Sequence, residues 1–93
     1  MSVRYRPKAL ADLDSIATYT REHWGEEMAR AYILTLRKAC EDLAQFPELG
    51  GRSMVAGYRR ITVESHVVYY RTTKADVIIV RVLHERQSPT RNL

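Results

Sequence analysis

The side chains best suited to chemistry lie together at the end of the last apolar run, where His84, Glu85 and Arg86 follow one another. Histidine and glutamate can act as general base and general acid, and arginine can hold a phosphate. These residue types are the minimum set of a metal-independent ribonuclease. On an extended strand, however, His84 and Arg86 would share one side while Glu85 points away. A charged strand end that closes the core is the alternative interpretation.

Other kinds of reactive site find no support in the sequence. The histidines His23, His66 and His84 are too scattered to predict a metal site, and Cys40 is the only cysteine. There is no Gly-rich phosphate loop and no G-x-S-x-G nucleophile motif. We therefore predict no metal and no cofactor, and we assign no catalytic residue firmly.

The excess positive charge lies in the C-terminal half of the chain. Residues 1–46 contain seven basic and seven acidic residues, whereas residues 47–93 contain eight basic and four acidic ones. Twelve of the fifteen basic residues are arginines, whose planar donors suit carboxylates and phosphates. The net charge of +4 thus favours an acidic partner, either a nucleic acid or an acidic protein segment, with solubility alone as the alternative.

Length and composition predict one folded domain over residues 1–93. The chain is 45% hydrophobic and 28% charged, which is typical of a globular protein rather than a disordered one. No apolar run approaches the ~18–20 residues that span a bilayer, and the N-terminus lacks the apolar core of a secretory signal. Because a single cysteine cannot form an intrachain disulfide, we expect a cytoplasmic location.

The first half of the chain predicts a strand followed by two helices. Residues 2–6 alternate polar and apolar side chains, and Pro7 suits the first turn of a helix. Apolar residues at three-to-four spacing then predict a helix over residues 8–22. Gly25 interrupts this pattern, and a second stripe predicts another helix from Glu26 to Phe46. Together they form a helical hairpin.

The second half predicts three strands, Tyr58–Val63, Val67–Thr72 and Val77–Leu83, which are rich in Val, Ile, Thr and Tyr. Short polar turns separate them and favour antiparallel neighbours. The predicted order is β-α-α-β-β-β, followed by a tail that contains Pro89. We expect an α+β fold in which the helical hairpin covers one face of a mostly antiparallel sheet.

Alternation along the strands divides their side chains between two faces. One set is almost wholly apolar and should meet the helices: Ile61, Val63, Val68, Tyr70, Ile78, Val80 and Val82. The other mixes apolar, aromatic and arginine side chains: Tyr58, Arg60, Thr62, Val67, Tyr69, Arg71, Val77, Ile79, Arg81 and Leu83. An uncovered apolar strip on that face would mark an interaction surface. Such a surface would stack on RNA bases or bind an acidic amphipathic segment of a protein. Alternatively, these residues are present only because they are good strand formers.

Several motifs follow one another along nearly the whole chain. The first helix carries Ala9-x-x-Asp12-Leu13-x-x-Ile16-x-x-Tyr19, and the second ends in Leu43-Ala44-Gln45-Phe46-Pro47-Glu48-Leu49-Gly50. The strands contain Gly57-Tyr58-Arg59-Arg60, Val67-Val68-Tyr69-Tyr70-Arg71 and Val80-Arg81-Val82-Leu83-His84-Glu85-Arg86. In this order and spacing, the motifs resemble the ParE branch of the ParE/RelE toxin superfamily.

The resemblance implies a type II toxin with the β-α-α-β-β-β fold, held inactive by an antitoxin whose C-terminal segment wraps it. ParE toxins are associated with poisoning of DNA gyrase, and RelE toxins with cutting of mRNA on the ribosome. On this basis we expect the last strand and tail to bind the target, through Arg81, His84, Glu85, Arg86 and Arg91. We expect the antitoxin to bind at Leu10, Leu13, Tyr58, Arg60, Tyr69, Arg71, Val77, Ile79 and Arg81.

The residues that separate the two branches favour the non-enzymatic one. Val67 and Val68 stand where similar nucleases tend to carry an arginine, and neither tyrosine nor histidine follows Arg86. The first alternative is a ribosome-dependent mRNA endonuclease, with His84 as base and Arg59, Arg60 and Arg86 on phosphate. The second is an inactive module that only binds the antitoxin.

Overall fold

A helical hairpin covers one face of a five-stranded sheet in the computed structural model, which describes residues 1–93. The strands are β1 (Ser2–Tyr5), β2 (Gly51–Arg52), β3 (Arg59–Val63), β4 (His66–Thr72) and β5 (Asp76–His84). The helices are α1 (Pro7–Trp24), α2 (Glu26–Gln45) and the single turn α3 (Pro89–Asn92). The predicted α+β fold and element order are confirmed, and the short elements β2 and α3 are additions to it.

The hairpin turns at one residue, Gly25. Its φ of 92° lies in the region that favours glycine. Its N–H donates to the Arg21 carbonyl at 3.0 Å, and its own carbonyl accepts the N–H of Ala29 at 3.1 Å. Gly25 therefore ends α1 and starts α2 at the same point.

No helix of the structure combines the length and the apolar composition needed to cross a lipid bilayer.

The sheet has the strand order β1-β5-β4-β3-β2, with β5 between an antiparallel β4 and a parallel β1. Pairing with β1 ends where Tyr5 meets Ile79. Beyond this point Asp12 of α1 lies along the edge of β5, where its Oδ2 accepts the N–H of Val82 at 2.9 Å. The first helix thus satisfies a main-chain donor that the short strand leaves unpaired.

A β-bulge in β5 changes which side chains face the helices. Tyr69 pairs with Arg81, but Tyr70 pairs with Ile79, so Val80 is an extra residue on β5. Val77 and Ile79 are consequently buried in the core beneath the helices. The prediction that they form an uncovered strip on the opposite face is wrong, because strict alternation does not continue through a bulge.

The opposite face has a small apolar cluster that the chain covers itself. Val67, Tyr69 and Leu83 are each at most 3% exposed. Leu93 packs against this cluster, and α3 brings it there. The predicted apolar surface around Leu83 exists, but the C-terminal residues lie over it.

Candidate target-binding end of the sheet

The last strand ends in a turn that leaves Arg86 exposed. The His84 carbonyl accepts the N–H of Gln87 at 2.9 Å, and the Gln87 side-chain oxygen accepts the N–H of His84 at 2.8 Å. The N–H of Glu85 donates to the Ser65 carbonyl at 2.9 Å. The N–H of Arg86 donates to the His84 Nδ1 atom at 3.2 Å. The main chain is therefore fixed at every residue from 84 to 87.

The guanidinium group of Arg86, by contrast, is free. Its residue is exposed, and it takes part in none of the five ion pairs of the structure. Glu85 beside it and Arg91 on α3 are exposed as well. Because the chain turns after His84, the strand alternation expected for residues 84–86 does not apply. Three of the predicted target-binding side chains, those of Glu85, Arg86 and Arg91, are thus open to a partner.

Two histidines that are distant in the sequence are neighbours at this end. His66 of β4 pairs directly with His84 of β5, and their ring centroids are 5.4 Å apart with the rings nearly perpendicular. On the other side of His66, the Tyr32 hydroxyl lies 2.6 Å from Nδ1. Burial and the adjacent His84 lower the pKa of His66, against the smaller opposing effect of the Glu85 and Asp12 carboxylates. The environment therefore favours the neutral form of His66.

The sequence does not indicate this pair, because the bulge decides which residues lie opposite each other. The turn between β4 and β5 pairs Thr72 with Val77. If the pairing continued from there without a bulge, Leu83 would lie opposite His66. The extra residue Val80 moves His84 into that position and onto the helix-facing side. The pair is not part of a larger metal-binding group, since no three His, Cys, Asp or Glu side chains converge.

Arg81 is held within the chain. Its Nε and Nη2 atoms donate to the two carboxylate oxygens of Asp12, each at 2.8 Å, and its Nη1 donates to the Asn92 carbonyl at 2.8 Å. The side chains of Arg81 and Asp12 are only 16% and 14% exposed. Hydrogen bonding to Asp12 raises the pKa of Arg81. Arg81 therefore ties α1 and the C-terminal residues to β5, and most of its donors are already used.

Arg59 is likewise occupied, at the opposite end of the sheet. Its guanidinium donates to the carbonyl of Gly50 at 2.6 and 3.0 Å and to that of Glu48 at 3.2 Å. The Tyr70 hydroxyl donates to the Pro47 carbonyl at 2.8 Å and accepts the N–H of Gly50 at 3.0 Å. The two side chains thus clamp the turn after α2, which contains the family motif P-x-x-G.

The four residues of the nuclease alternative are not brought together. Arg59 and Arg60 lie opposite Tyr70 and Tyr69, whereas His84 lies opposite His66. Three to four residues along β4 correspond to about 10–13 Å. A phosphate held by His84 and Arg86 would therefore be out of contact with Arg59, whose donors are engaged elsewhere.

The residues predicted to bind an antitoxin differ in accessibility. Four of them are accessible at least in part: Leu10, Tyr58, Arg60 and Arg71. The Arg71 guanidinium lies 5.8 Å from the centre of the Tyr58 ring, beside an open cleft of about 530 Å³. Four others are buried in the isolated chain: Leu13, Tyr69, Val77 and Ile79. Of these eight residues, only the first four are accessible on the folded chain.

The helical hairpin exposes large side chains, among them Tyr19 and Met28, which the sequence pattern places in the apolar stripes of the two helices. Trp24, next to the turn, is 68% exposed, and Tyr19 and Met28 are exposed too. The ring of Tyr19 stacks on His23 with centroids 4.0 Å apart. An apolar stripe marks a helix face but does not show how much of that face the sheet covers. These residues are further candidates for contact with a partner.

The only cysteine lies in the core and is unsuited to nucleophilic chemistry. Cys40 is fully buried between the helices and the sheet. Burial raises the pKa of its thiol to about 11. Because the thiolate is the reactive form, Cys40 has a packing role in the folded chain.

The architecture is that of the small α+β toxins of toxin–antitoxin systems. A chain from the structure titled "Chromosomal ParDE TA system from P. aeruginosa" superposes with a TM-score of 0.82 and 26% identity, over 90% of this chain and 95% of that chain. A chain of the toxin–antitoxin complex RelBE2 from Mycobacterium tuberculosis superposes with a TM-score of 0.66, over 89% of this chain and 95% of that one. At 21% identity the latter likeness concerns the fold alone.

Sequence similarity identifies the family. The profile described as "ParE toxin of type II toxin-antitoxin system, parDE" matches residues 3–89. The chain is 40% identical to Toxin ParE1 of Caulobacter vibrioides over 92 residues, which cover 97% of this chain and 95% of that protein. It is 38% identical to Toxin ParE1 of Mycobacterium tuberculosis over the full length of both chains. The chain belongs to the ParE toxins of type II toxin–antitoxin systems, which confirms the resemblance of its motifs.

Proposed function

We propose that this toxin inhibits DNA gyrase as a non-enzymatic binding protein, and that it contacts the enzyme through the end of β5 and the residues that follow. The observation that carries the proposal is a ParE chain with a free arginine, Arg86, on a main chain that hydrogen bonds hold rigid. Because the main chain is already fixed, binding through Arg86 costs side-chain entropy but little main-chain entropy. Glu85 and Arg91 extend the same charged surface.

A cognate antitoxin is the second partner that we infer, because the chain belongs to a family of type II toxins. Two surfaces are suited to it. The cleft beside Tyr58 is lined by Arg52, Arg59 and Arg71 and would attract an acidic segment. The helical hairpin, with Leu10 and Trp24 exposed, would take the apolar face of a helix.

Cleavage of mRNA is the second candidate function, and one observation favours it. His66 and His84 place two imidazoles at the end of the sheet that also carries Arg86. Against it, the Nδ1 atoms of both rings already take part in hydrogen bonds within the chain. Under this alternative, mRNA in cells arrested by the toxin is cut. Under the gyrase proposal it stays intact.

The direct test is a supercoiling assay with DNA gyrase and the purified toxin, freed of antitoxin. We expect inhibition, accumulation of cleaved DNA, and reversal when antitoxin is added. Arg86→Ala should raise the concentration for half-inhibition at least about tenfold, the value of one charged hydrogen bond. Lys74→Ala removes the same charge from an exposed turn at the far end of the sheet and should inhibit normally. Undiminished supercoiling in the presence of the folded wild-type toxin would contradict the proposal.

A further inference from the structure

His84 connects the end of β5 to Arg86 through its ring as well as through its main chain. The Nδ1 atom accepts the N–H of Arg86, so in this arrangement it bears a lone pair and the ring proton resides on Nε2. The main-chain N–H and carbonyl of the same residue are both bonded to Gln87. The turn that presents Arg86 is therefore built around the neutral imidazole of His84.

We propose that neutral His84 is a positioning residue for Arg86, that His66 and Tyr32 hold its ring in place, and that protonation of His84 releases the turn. That this release of the turn affects toxicity rests on the proposed function, because only a target bound through Arg86 would respond to it. The device itself is a property of the chain and can be tested without a target.

The contacts that hold the ring come from two other elements. β4 supplies His66, which lies directly across from His84 and meets its ring at a near-perpendicular angle. α2 supplies Tyr32, whose hydroxyl fixes the orientation of the His66 ring through the 2.6 Å contact with Nδ1. A larger phenyl ring in place of His66 would disturb the contact with His84 and could not bond to Tyr32, and loss of the Tyr32 hydroxyl would free His66 to rotate.

Protonation of His84 would break the link to Arg86. A ring with hydrogen on both nitrogens is only a donor, so Nδ1 and the N–H of Arg86 would then confront each other as two donors. Histidine is the side chain that ordinarily changes charge between about pH 5 and pH 8. The turn should therefore loosen when His84 becomes protonated.

The charged and titratable groups around the pair do not compensate for that change. α1 contributes Asp12, whose carboxylate already binds Arg81 and the N–H of Val82. The turn contributes Glu85, which is exposed to solvent. α2 contributes the Tyr32 hydroxyl, and β3 places the uncharged Val63 opposite His66. A charged His84 would thus have no carboxylate reserved for it.

The first experiment follows the amide of Arg86 and the imidazole of His84 by NMR, from about pH 8 to about pH 5.5. We expect the Arg86 amide to shift with the same midpoint as the His84 ring and to lose its protection from exchange on the acidic side. In His84→Asn, the side-chain oxygen can accept the same hydrogen bond but cannot titrate, so the Arg86 amide should keep its position throughout. In His84→Ala it should be unprotected at every pH.

The second experiment tests the two supporting residues. At neutral pH, we expect His66→Phe to accelerate exchange of the Arg86 amide about tenfold and Tyr32→Phe to accelerate it less. Tyr58→Phe on the opposite face is the control and should leave that amide unchanged. An Arg86 amide that ignores the titration of His84, or that His84→Ala and His66→Phe leave as protected as in the wild type, overturns the proposal.

A gyrase assay at neutral pH connects the device to function. His66→Phe should raise the concentration for half-inhibition about tenfold, in parallel with the loss of amide protection. If His66→Phe accelerates exchange of the Arg86 amide but inhibits gyrase normally, the proposed connection between the position of Arg86 and toxicity is wrong. If the wild-type toxin leaves gyrase active, the proposed function fails, and the NMR results still decide whether His84 positions Arg86.

Discussion

The two ends of the sheet use arginine in opposite ways. At one end, the guanidinium of Arg59 and the hydroxyl of Tyr70 bind main-chain groups of the Pro47–Gly50 turn. At the other end, the His84 ring and neighbouring main-chain bonds hold the turn, and the guanidinium of Arg86 is left exposed. An arginine that binds main-chain carbonyls supports the fold, whereas one whose main chain is held by other groups is available to a partner.

This difference implies that the two ends should respond differently to mutation. Changes at the Pro47–Gly50 turn should lower the free energy of unfolding, because they disturb close packing and buried hydrogen bonds. Changes at the exposed turn should affect binding and leave stability nearly unchanged. The four substitutions below measure how sharply the roles divide, in order of decreasing effect on stability.

Gly50→Ala should be the most destabilising substitution, by about 3 kcal/mol. A Cβ atom at this position would collide with the Arg60 carbonyl oxygen and lie 2.7 Å from the Tyr70 hydroxyl. Urea-induced unfolding followed by circular dichroism measures the effect. The control is Gly51→Ala, whose Cβ meets no atom within 4 Å. Equal stabilities of the two variants would show that the turn is not closely packed.

Asp12→Ala should cost about 2 kcal/mol, because it leaves Arg81 without its carboxylate partner and the N–H of Val82 without an acceptor. This anchor lies on the β5 side of the molecule, so it tests whether that side is stable apart from its exposed turn. The solvent-exposed pair between Lys38 and Asp42 provides the control. Asp42→Ala should change the unfolding free energy by less than about 0.5 kcal/mol. An equally small effect for Asp12→Ala would contradict the anchoring role.

Tyr70→Phe should cost about 1.5 kcal/mol, since the hydroxyl makes two hydrogen bonds to the Pro47–Gly50 turn. The matched control is Tyr5→Phe, because the Tyr5 hydroxyl is buried with no hydrogen-bond partner. Removing that hydroxyl should leave the free energy of unfolding unchanged or raise it slightly. Thermal or urea unfolding of the two variants compares a bonded with an unbonded hydroxyl. A larger loss for Tyr5→Phe would reverse the interpretation.

His66→Phe should flatten the pH dependence of stability, and this is the smallest of the four effects. The pKa of His66 is lowered in the folded chain, so the unfolded chain binds the proton more readily. The contribution of His66 to the free energy of unfolding is therefore fully present above the unfolded pKa of about 6.5. It is lost as the pH falls from there towards the lowered native pKa. Urea unfolding at several pH values measures the slope. A slope in His66→Phe equal to that of the wild type would contradict this role of His66.

Local patterns in the sequence were sufficient for the two long helices and four of the strands, but not for β2, α3 or the contacts between elements. The helical periodicity and Gly25 predict the hairpin, and the β-branched runs predict β3, β4 and β5 close to their observed limits. The parallel pairing of β1 with β5 joins residues more than seventy positions apart, which no local pattern encodes. The same holds for the pair of Asp12 and Arg81.

The candidate site was predicted in part. The sequence motif points to residues 84–86, and the structure leaves Glu85 and Arg86 exposed there. The roles of His66 and Tyr32 could not be predicted, because one extra residue at Val80 decides which side chains meet across the sheet. Likewise, composition cannot distinguish Arg59 from Arg86. Only the main-chain carbonyls around Arg59 make that distinction.

The most direct measurement compares Arg86→Ala with Arg59→Ala in two assays, the free energy of unfolding and inhibition of DNA gyrase supercoiling per folded molecule. We predict that Arg86→Ala keeps the stability of the wild type and loses inhibition, whereas Arg59→Ala loses stability and its folded fraction still inhibits. If Arg86→Ala inhibits as well as the wild type, or if Arg59→Ala abolishes inhibition while fully folded, the proposed division of roles between the two ends is wrong.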